Sequence, residues 1–338
     1  MPGQKRRATI QDVARLAGVS SATVSRVLNQ TVFVNPKTQE KVRNAIESLH
    51  YVPSSAAQAL AGNKTKTIGL FVHGISEVFF VPLLRGIELS ASKAGYNLLI
   101  HTTYSQQKNP AYKMLGHHNT DGVLVFSDSL NDEELGHLVS RGVPCVLIYH
   151  SPPNGLRIPS INIDNMAGAI QVVDHLIHIH QRRRIVFLRG PSNNHDAVWR
   201  EKGYRQALEQ NDIAYDESLV SDGNFHFQTA ADSMQGLIRK GTAFDAVFCA
   251  DDGSAFGAYA ALKDAGIRVP QDVSLAGFDD VYFAAHFSPG LTTVQAPTEE
   301  VGKLAVDTLL GRIRDKDIPE HVLLPTRLKI RQSCGCVE

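Results

Sequence analysis

The 338-residue sequence predicts an all-α helical head followed by a larger α/β core of two doubly wound parallel sheets. Three observations predict it. Residues 9–49 place apolar side chains at helical spacing in three short runs, separated by cap and turn residues. From Ile68 onward, short apolar runs alternate with helical stretches that end in glycine, the pattern of strand–helix units. These strands are too many for one sheet of ordinary size, so the core is expected to divide into two lobes.

The first helix is announced by Thr9-x-x-Asp12, a capping box in which hydroxyl and carboxylate satisfy free amides of the first turn. Ile10, Val13, Ala14 and Ala17 then share one face, and Gly18 suits the left-handed residue of a tight turn. Ser20 caps a second helix whose Val24, Val27 and Leu28 face inward. Asn35-Pro36 opens a third, with Val42, Ile46 and Leu49 on one side. Two helices joined by a glycine turn form a helix-turn-helix, leaving Ser21, Thr23, Ser25 and Arg26 as polar residues of the second helix. Serine and threonine bond phosphates or base edges, and arginine forks onto guanine. An ordinary helical hairpin with a solvated Arg26 satisfies the same spacing.

Charge points the same way. Lys plus Arg and Asp plus Glu are equal at 34 each over the chain. Residues 1–62, however, hold eight basic residues against Asp12, Glu40 and Glu47, a net +5. A basic end on a neutral chain suits a polyanion. No apolar window reaches the ~18 residues of a membrane span. The start lacks an apolar leader, so no signal peptide is expected, and four scattered cysteines fit a reducing cytoplasm. Cys334-Gly335-Cys336 offers two thiols without a second pair, which is weak evidence for a metal. His175, His178 and His180 beside Arg182–Arg184 read as a solvated face. No nucleophile elbow, phosphate loop or zinc-protease motif is present in the sequence.

The run from Ile10 to Asn29, continuing through Val42-Arg43, Leu49–Pro53 and Ala57–Gly62, closely resembles the headpiece signature of the LacI/GalR family of bacterial transcription regulators. The resemblance extends over essentially the whole chain. It implies a helix-turn-helix headpiece over 1–53, a hinge helix and linker over 54–66, and a core over 67–338 similar to two-lobed periplasmic binding proteins. The N-lobe is expected at about 67–163 plus 296–323 and the C-lobe at about 164–292 plus 326–338, with crossings near Asp164, Thr292–Gln295 and Leu324–Thr326. Residue by residue, Ser21, Ala22 and Arg26 match base-reading positions, and Asn29 a backbone-contacting one. With Thr9, Ser20, Thr23, Ser25, Ala57 and Leu60 they make the expected DNA-binding set.

The expected effector set is Phe79, Phe80, Tyr149, Asn194, Asp196, Arg200, Phe225, Asp251 and Asp279. Phe79 and Phe80 match ring-stacking positions, although paired phenylalanines are also ordinary core. Arg200 matches an arginine that grips ligand oxygens, Phe225 an aromatic that closes over the ligand, and Asp279 a ligand-binding aspartate whose bland alternative is a helix cap. Tyr149 stands where members often have aspartate. Asp251 departs from the usual asparagine, adds negative charge and disfavours an anionic effector. His73, His150 and His195 are unusual additions. The set fits a sugar, with a nucleoside or purine as alternative. No cofactor or metal is implied. Operator DNA, a small effector and a second copy of the chain are the implied partners, and the lack of an apolar heptad tail before Glu338 argues against a tetramer built on a C-terminal bundle. A transport binding protein has no use for a basic headpiece, and a sugar-modifying enzyme needs a carboxylate pair acting on substrate, for which Asp251, Asp252 and Asp279 are the available groups.

Residues 54–62 allow barely two helical turns, too few to hold a helix alone, so the hinge is expected to order only against a partner and DNA. Leu60 matches a wedge inserted into the minor groove. Leu60→Ala is expected to weaken specific operator binding more than non-specific binding, measured by titrating operator and random duplex at one salt concentration. Equal losses would remove the wedge.

Overall fold

The computed structural model describes residues 8–29, 32–51, 64–103 and 111–337, with the side chain of Asn29 outside that description. Ala57 and Leu60, and with them the whole hinge expectation, lie outside the described residues. The chain forms two compact units, 1–65 and 66–338.

In the first unit, α1 (Ile10–Ala17), α2 (Ser21–Asn29) and α3 (Pro36–Ser48) enclose a small core of Val13, Ala14, Ala17, Val24, Val42 and Ala45. Both halves of the Thr9/Asp12 capping box are made. The chain leaves α1 through Gly18 at φ 67°. Ser20 Oγ accepts from the Thr23 amide at 3.2 Å, and Asn35 Oδ1 from the Lys37 amide at 2.9 Å.

The second unit holds two six-stranded sheets. The first is built from β1 (Thr67–Val72), β2 (Asn97–Thr102), β3 (Gly122–Phe126), β4 (Cys145–Ile148), β5 (Ser160–Ile163) and β11 (His321–Leu324), in the spatial order β11-β5-β4-β3-β1-β2. The second comprises β6 (Ile185–Arg189), β7 (Val220–Asp222), β8 (Ala246–Cys249), β9 (Ser274–Asp279), β10 (Thr292–Gln295) and β12 (Arg327–Lys329), in the order β12-β10-β9-β8-β6-β7. Pairing is parallel except between β10 and β12. The connecting helices are α4 (Phe80–Lys93), α5 (Asp132–Ser140), α6 (Asn165–His178), α7 (His195–Gln210), α8 (Phe227–Arg239), α9 (Asp252–Asp264) and α10 (Thr298–Ile313). Apolar side chains cover both faces of each sheet. That burial explains why the central strands read as unbroken apolar runs rather than alternating ones.

The chain passes between the sheets three times: after Ile163, after Gln295 and after Leu324. In both sheets the order reverses between the first and third strands, at β1/β3 and at β6/β8. Open α/β sheets bind ligands at such switch points, beyond the carboxyl ends of the strands. The edge strands β7, β11 and β12 carry few buried residues and have no counterpart among the apolar runs of the sequence.

Thr9→Ala removes a cap whose hydroxyl both donates to Asp12 and receives its amide. It is expected to cost the headpiece about 1 kcal/mol, read as a lower urea midpoint for the headpiece transition.

Candidate functional site

The headpiece presents its second helix outward. Ala22 and Arg26 are exposed one turn apart, while Ser21 and Ser25 are half-buried on the adjoining row and Val24 is fully buried. Thr9 and Thr23 are partly spent on the helix caps: the Thr23 hydroxyl lies 3.0 Å from that of Ser20. Arg26 shares a groove with Arg43, Gln39 and Phe33, and the Phe33 ring is 88% exposed. Two guanidinium groups and an outward aromatic on one groove suit a phosphate-rich surface. Phe33 and Gln39 carry no periodic signal and were not foreseen.

In the core, the expected effector residues gather at the carboxyl ends of both sheets. On the first sheet, Phe79 precedes α4, Phe126 ends β3 and Tyr149 follows β4. Their rings form one cluster with Phe80, at centroid distances from 5.1 Å (Phe80–Phe126) to 6.2 Å (Phe79–Phe126). Phe80 and Tyr149 are buried, at 6% and 0% exposure, and the Tyr149 hydroxyl donates to Thr298 Oγ1 at 3.4 Å. Both therefore pack as the supporting wall behind Phe79, which is half-buried. Burial raises the Tyr149 phenol strongly, and the charges of Asp196, Asp279 and Arg200 also reach it, which places the aromatic wall opposite the charged groups of the second lobe.

Those groups centre on Arg200, which is 2% exposed in α7. Its Nε donates to Asn165 Oδ1 at 2.8 Å and one terminal nitrogen to the Ala250 carbonyl at 2.6 Å. The other terminal nitrogen lies 3.0 Å from Asp279 Oδ1. The guanidinium stacks on Phe278 at 3.8 Å, with Phe225 at 5.7 Å on another side. Asn165 carries the network on, donating to Asp196 Oδ1 at 2.8 Å.

Asp279 ends β9 at φ 107° and is not a helix cap, which removes that alternative. Its Oδ1 pairs with Arg200 at 3.0 Å and, among the described residues, has no other polar partner. Burial pushes its carboxyl up to about 7, against the opposing pull of Arg200. Asp251 is a cap: its oxygens take the Gly253 and Ser254 amides at 2.9 and 3.1 Å, and burial raises it as well. Asp252, fully buried, fixes β10 and the loop after β9 through Thr293 Oγ1 and the Val281 amide.

Sequence reasoning missed the contacts that join the two lobes. Asn194 caps α7 and donates to Asp128 Oδ2 at 2.7 Å. His195 Nε2 receives the Trp199 indole N–H at 3.1 Å and meets Ser151 Oγ at 3.0 Å. The His150 ring lies 6.5 Å from that of His195, and burial lowers its basicity. His150 and His195 thus line the seam between lobes. Asn165, Asp128 and Ser151 have no local pattern that marks them; only the fold brings them to their partners.

A helical head with an exposed second helix, fused to a two-lobed core with a buried polar cluster at the carboxyl ends of its strands, is the architecture of a DNA-binding regulator. Comparison with known proteins bears on this directly. The model for bacterial regulatory proteins of the lacI family matches residues 9–54, and that for a periplasmic binding protein-like domain matches residues 173–334. The HTH-type transcriptional repressor PurR of Vibrio atlanticus (strain LGP32) is 38% identical over 320 residues, covering 93% of this chain and 95% of that protein. The HTH-type transcriptional regulator CelR of Thermobifida fusca is 35% identical over 344 residues, covering 98% and 99%. Among solved structures, a CelR–cellobiose complex aligns with TM-score 0.72 at 34% identity over 97% of this chain and 100% of that one. The lac repressor dimer bound to operator and the anti-inducer ONPF aligns with TM-score 0.85 at 27% identity, over 97% and 99%. The chain belongs to the lacI family of bacterial regulatory proteins. It is a DNA-binding transcriptional regulator with a periplasmic-binding-protein-like core, in a family of regulators rather than enzymes.

The Asp279 carboxyl has a stability consequence. Its folded value of about 7 lies above the unfolded one near 3.8, so between those values the folded state holds a proton that the unfolded chain has lost. This contribution is present at low pH and lost as pH rises through 7. Asp279→Asn is expected to flatten that part of the profile, so variant minus wild-type stability increases from pH 5 to pH 8 in denaturant melts. Parallel profiles would show that Asp279 is ionised throughout.

Proposed function

We propose that this chain is a sequence-specific repressor, acting as a homodimer on a near-palindromic operator in the cytoplasm, whose DNA affinity is set by a sugar or sugar derivative held between the lobes. Among the described residues no helix is long and apolar enough to cross a membrane. The observation that carries the effector reading is the buried Arg200–Asp279 pair, whose guanidinium lies over Phe278 and near Phe225. A sugar answers each part: its ring faces lie on aromatic surfaces, and its hydroxyls give and take hydrogen bonds at a carboxylate and a guanidinium. Asp196 and Asp252 are buried and Asp251 half-buried near Arg200, the one buried arginine among the described residues, and these carboxyls oppose an anionic ligand. The cellobiose in the related CelR complex is consistent with this chemistry. A nucleoside or purine is the alternative, favoured by the aromatic wall of Phe79 and Phe126.

The mechanism follows from the lobe seam. Asp128–Asn194 and Ser151–His195 are bonds that must adjust when a ligand changes the angle between the lobes. In a dimer that angle sets the spacing of the two hinge segments, and a hinge too short to fold alone melts when its partner moves away. The headpieces, with Ser21, Ala22 and Arg26 as base-reading residues, Ser20, Thr23 and Ser25 beside them and Asn29 as a backbone contact, then lose their fixed register. We take the effector to be an inducer.

A thermal-shift screen of neutral sugars and nucleosides, with each hit repeated in an operator-binding assay, tests this reading. A sugar is expected to raise the melting temperature, by about 2.7 kcal/mol of stability at a hundredfold over its dissociation constant, and to weaken operator binding. Arg200→Ala is expected to lose that response while still binding operator. A nucleoside hit would overturn the sugar assignment, tighter operator binding would overturn induction, and an undiminished response in the variant would move the site.

A further inference from the structure

The solvated-face expectation holds for His178, which is exposed, and fails for His175 and His180. His175 lies in the last turn of α6; the helix stops at His178, and the turn that follows brings His180 back beside it, with ring centroids 5.1 Å apart. The far end of the chain arrives at the same point. A short 3-10 turn over Gln332–Cys334 is followed by Gly335 at φ 113°, a left-handed step that glycine takes without strain, and it turns Cys336 toward the same two rings. Residues 159 positions apart in the sequence thus meet: Cys334 Sγ lies 3.5 Å from His175 Nε2. Cys336 Sγ lies 3.6 Å from His175 Nε2 and 3.3 Å from His180 Nε2. One donor atom from each of the four residues falls within 4.8 Å of all the others.

We propose that His175, His180, Cys334 and Cys336 form a two-cysteine, two-histidine binding site for a divalent d-block cation, with Zn2+ as the ion it fits. The spacing carries the argument. A tetrahedral zinc with Zn–S of about 2.3 Å and Zn–N of about 2.0–2.1 Å sets its sulfur and nitrogen ligands about 3.6 Å apart. The three sulfur–nitrogen distances cluster around that value. Thiol–imidazole hydrogen bonds join the same atoms pairwise, but only a shared ion accounts for all four donors converging on one point. Thiolate and imidazole donors together exclude Ca2+ and Mg2+, which take oxygen ligands. Hydrogen bonds hold the Cys334 end of the site in place, among them the one its thiol donates to the Arg331 carbonyl at 3.2 Å. The Thr292 hydroxyl lies 3.1 Å from Cys334 Sγ, within reach to donate to it, and Ser274 Oγ donates to the Cys334 carbonyl while receiving Arg182 Nε at 3.0 Å. All four positions are filled by protein side chains, so the site is closed and holds its ion structurally.

The site lies at the amino ends of β9 and β10, which start at Ser274 and Thr292, whereas Asp279 and Ala250 mark the carboxyl ends. It is therefore separate from the effector cleft and does not depend on the effector reading. A bound ion would fasten the tail that ends the C-lobe to the end of α6, adding a crosslink where Ser333 already bonds Thr292 and Leu275.

The test uses full-length, tag-free protein purified under reducing conditions without chelator. Metal analysis is expected to give about one zinc per chain. Cobalt exchanged into the site is expected to show sulfur-to-metal charge transfer and the visible bands of a tetrahedral ion. Cys336→Ser and His180→Gln alter half-buried residues and should stay folded by circular dichroism; each is expected to reduce zinc content, and zinc is expected to raise the melting temperature of stripped wild type but not of the double variant. No uptake of zinc or cobalt by stripped wild type would overturn the proposal. So would undiminished uptake by the double variant, or a Cys334–Cys336 disulfide found in freshly reduced protein. Copper(I) as the sole occupant would overturn the divalent assignment. Metal content is read without DNA or effector, so its failure leaves the regulator reading untouched.

Discussion

Arg200 is a cation 2% exposed in a protein interior, and it persists there only because its surroundings answer it in several directions. An aromatic face lies beneath it, a backbone carbonyl and an asparagine take its protons, and a carboxylate stands beside it. These partners come from α6, β9 and the residue after β8, with Arg200 itself on α7. One guanidinium thus ties together the carboxyl end of the second sheet. Breaking a buried pair of this kind ordinarily costs about 3–5 kcal/mol, because the abandoned charge remains buried. Here the abandoned group would be Asp279, whose carboxyl already titrates at about 7 and so can take up a proton instead.

The fold supplies the place for that pair. Both sheets run in the same order and reverse at the same step, so each presents a crevice at its carboxyl edge. The two crevices meet along a seam crossed by three chain passages and by the bonds of Asn194 and His195. The lobes are joined by the passages, by these side-chain bonds and by a buried apolar cluster that runs across both. A ligand shifts a two-state equilibrium between lobe arrangements only if it interacts differently with the two.

Much of this was legible in the sequence. The capping box at Thr9, the turn glycine and the Asn35-Pro36 start are local signals, and α1 to α3 form where they point. The central strands announce themselves because burial on both faces demands unbroken apolar runs. The edge strands β7, β11 and β12 do not, because edges face water and their residues are mixed. Strand β5, four residues with a serine and an asparagine, is too short and too polar to stand out. In the cleft, family resemblance pointed to Arg200 and Asp279, yet no pattern marked Asn165, the residue that links Arg200 to Asp196. Its role is created by the meeting of two helices, and helix meetings leave no trace in spacing.

The histidines show the same limit more sharply. Helical spacing is a sound guide within a helix, where it sets His175 and His178 three residues apart on neighbouring turns. It says nothing about His180, which lies beyond the helix end, or about cysteines that arrive from the other end of the chain. The second sheet therefore carries two different polar clusters at opposite ends of its strands. At the carboxyl end, acids outnumber the single arginine. At the amino end, four soft or borderline donors close on one another at the spacing of a tetrahedral ion. That end joins residues 332–336 to the end of α6, so the two clusters sit on opposite edges of one sheet and are built from different elements.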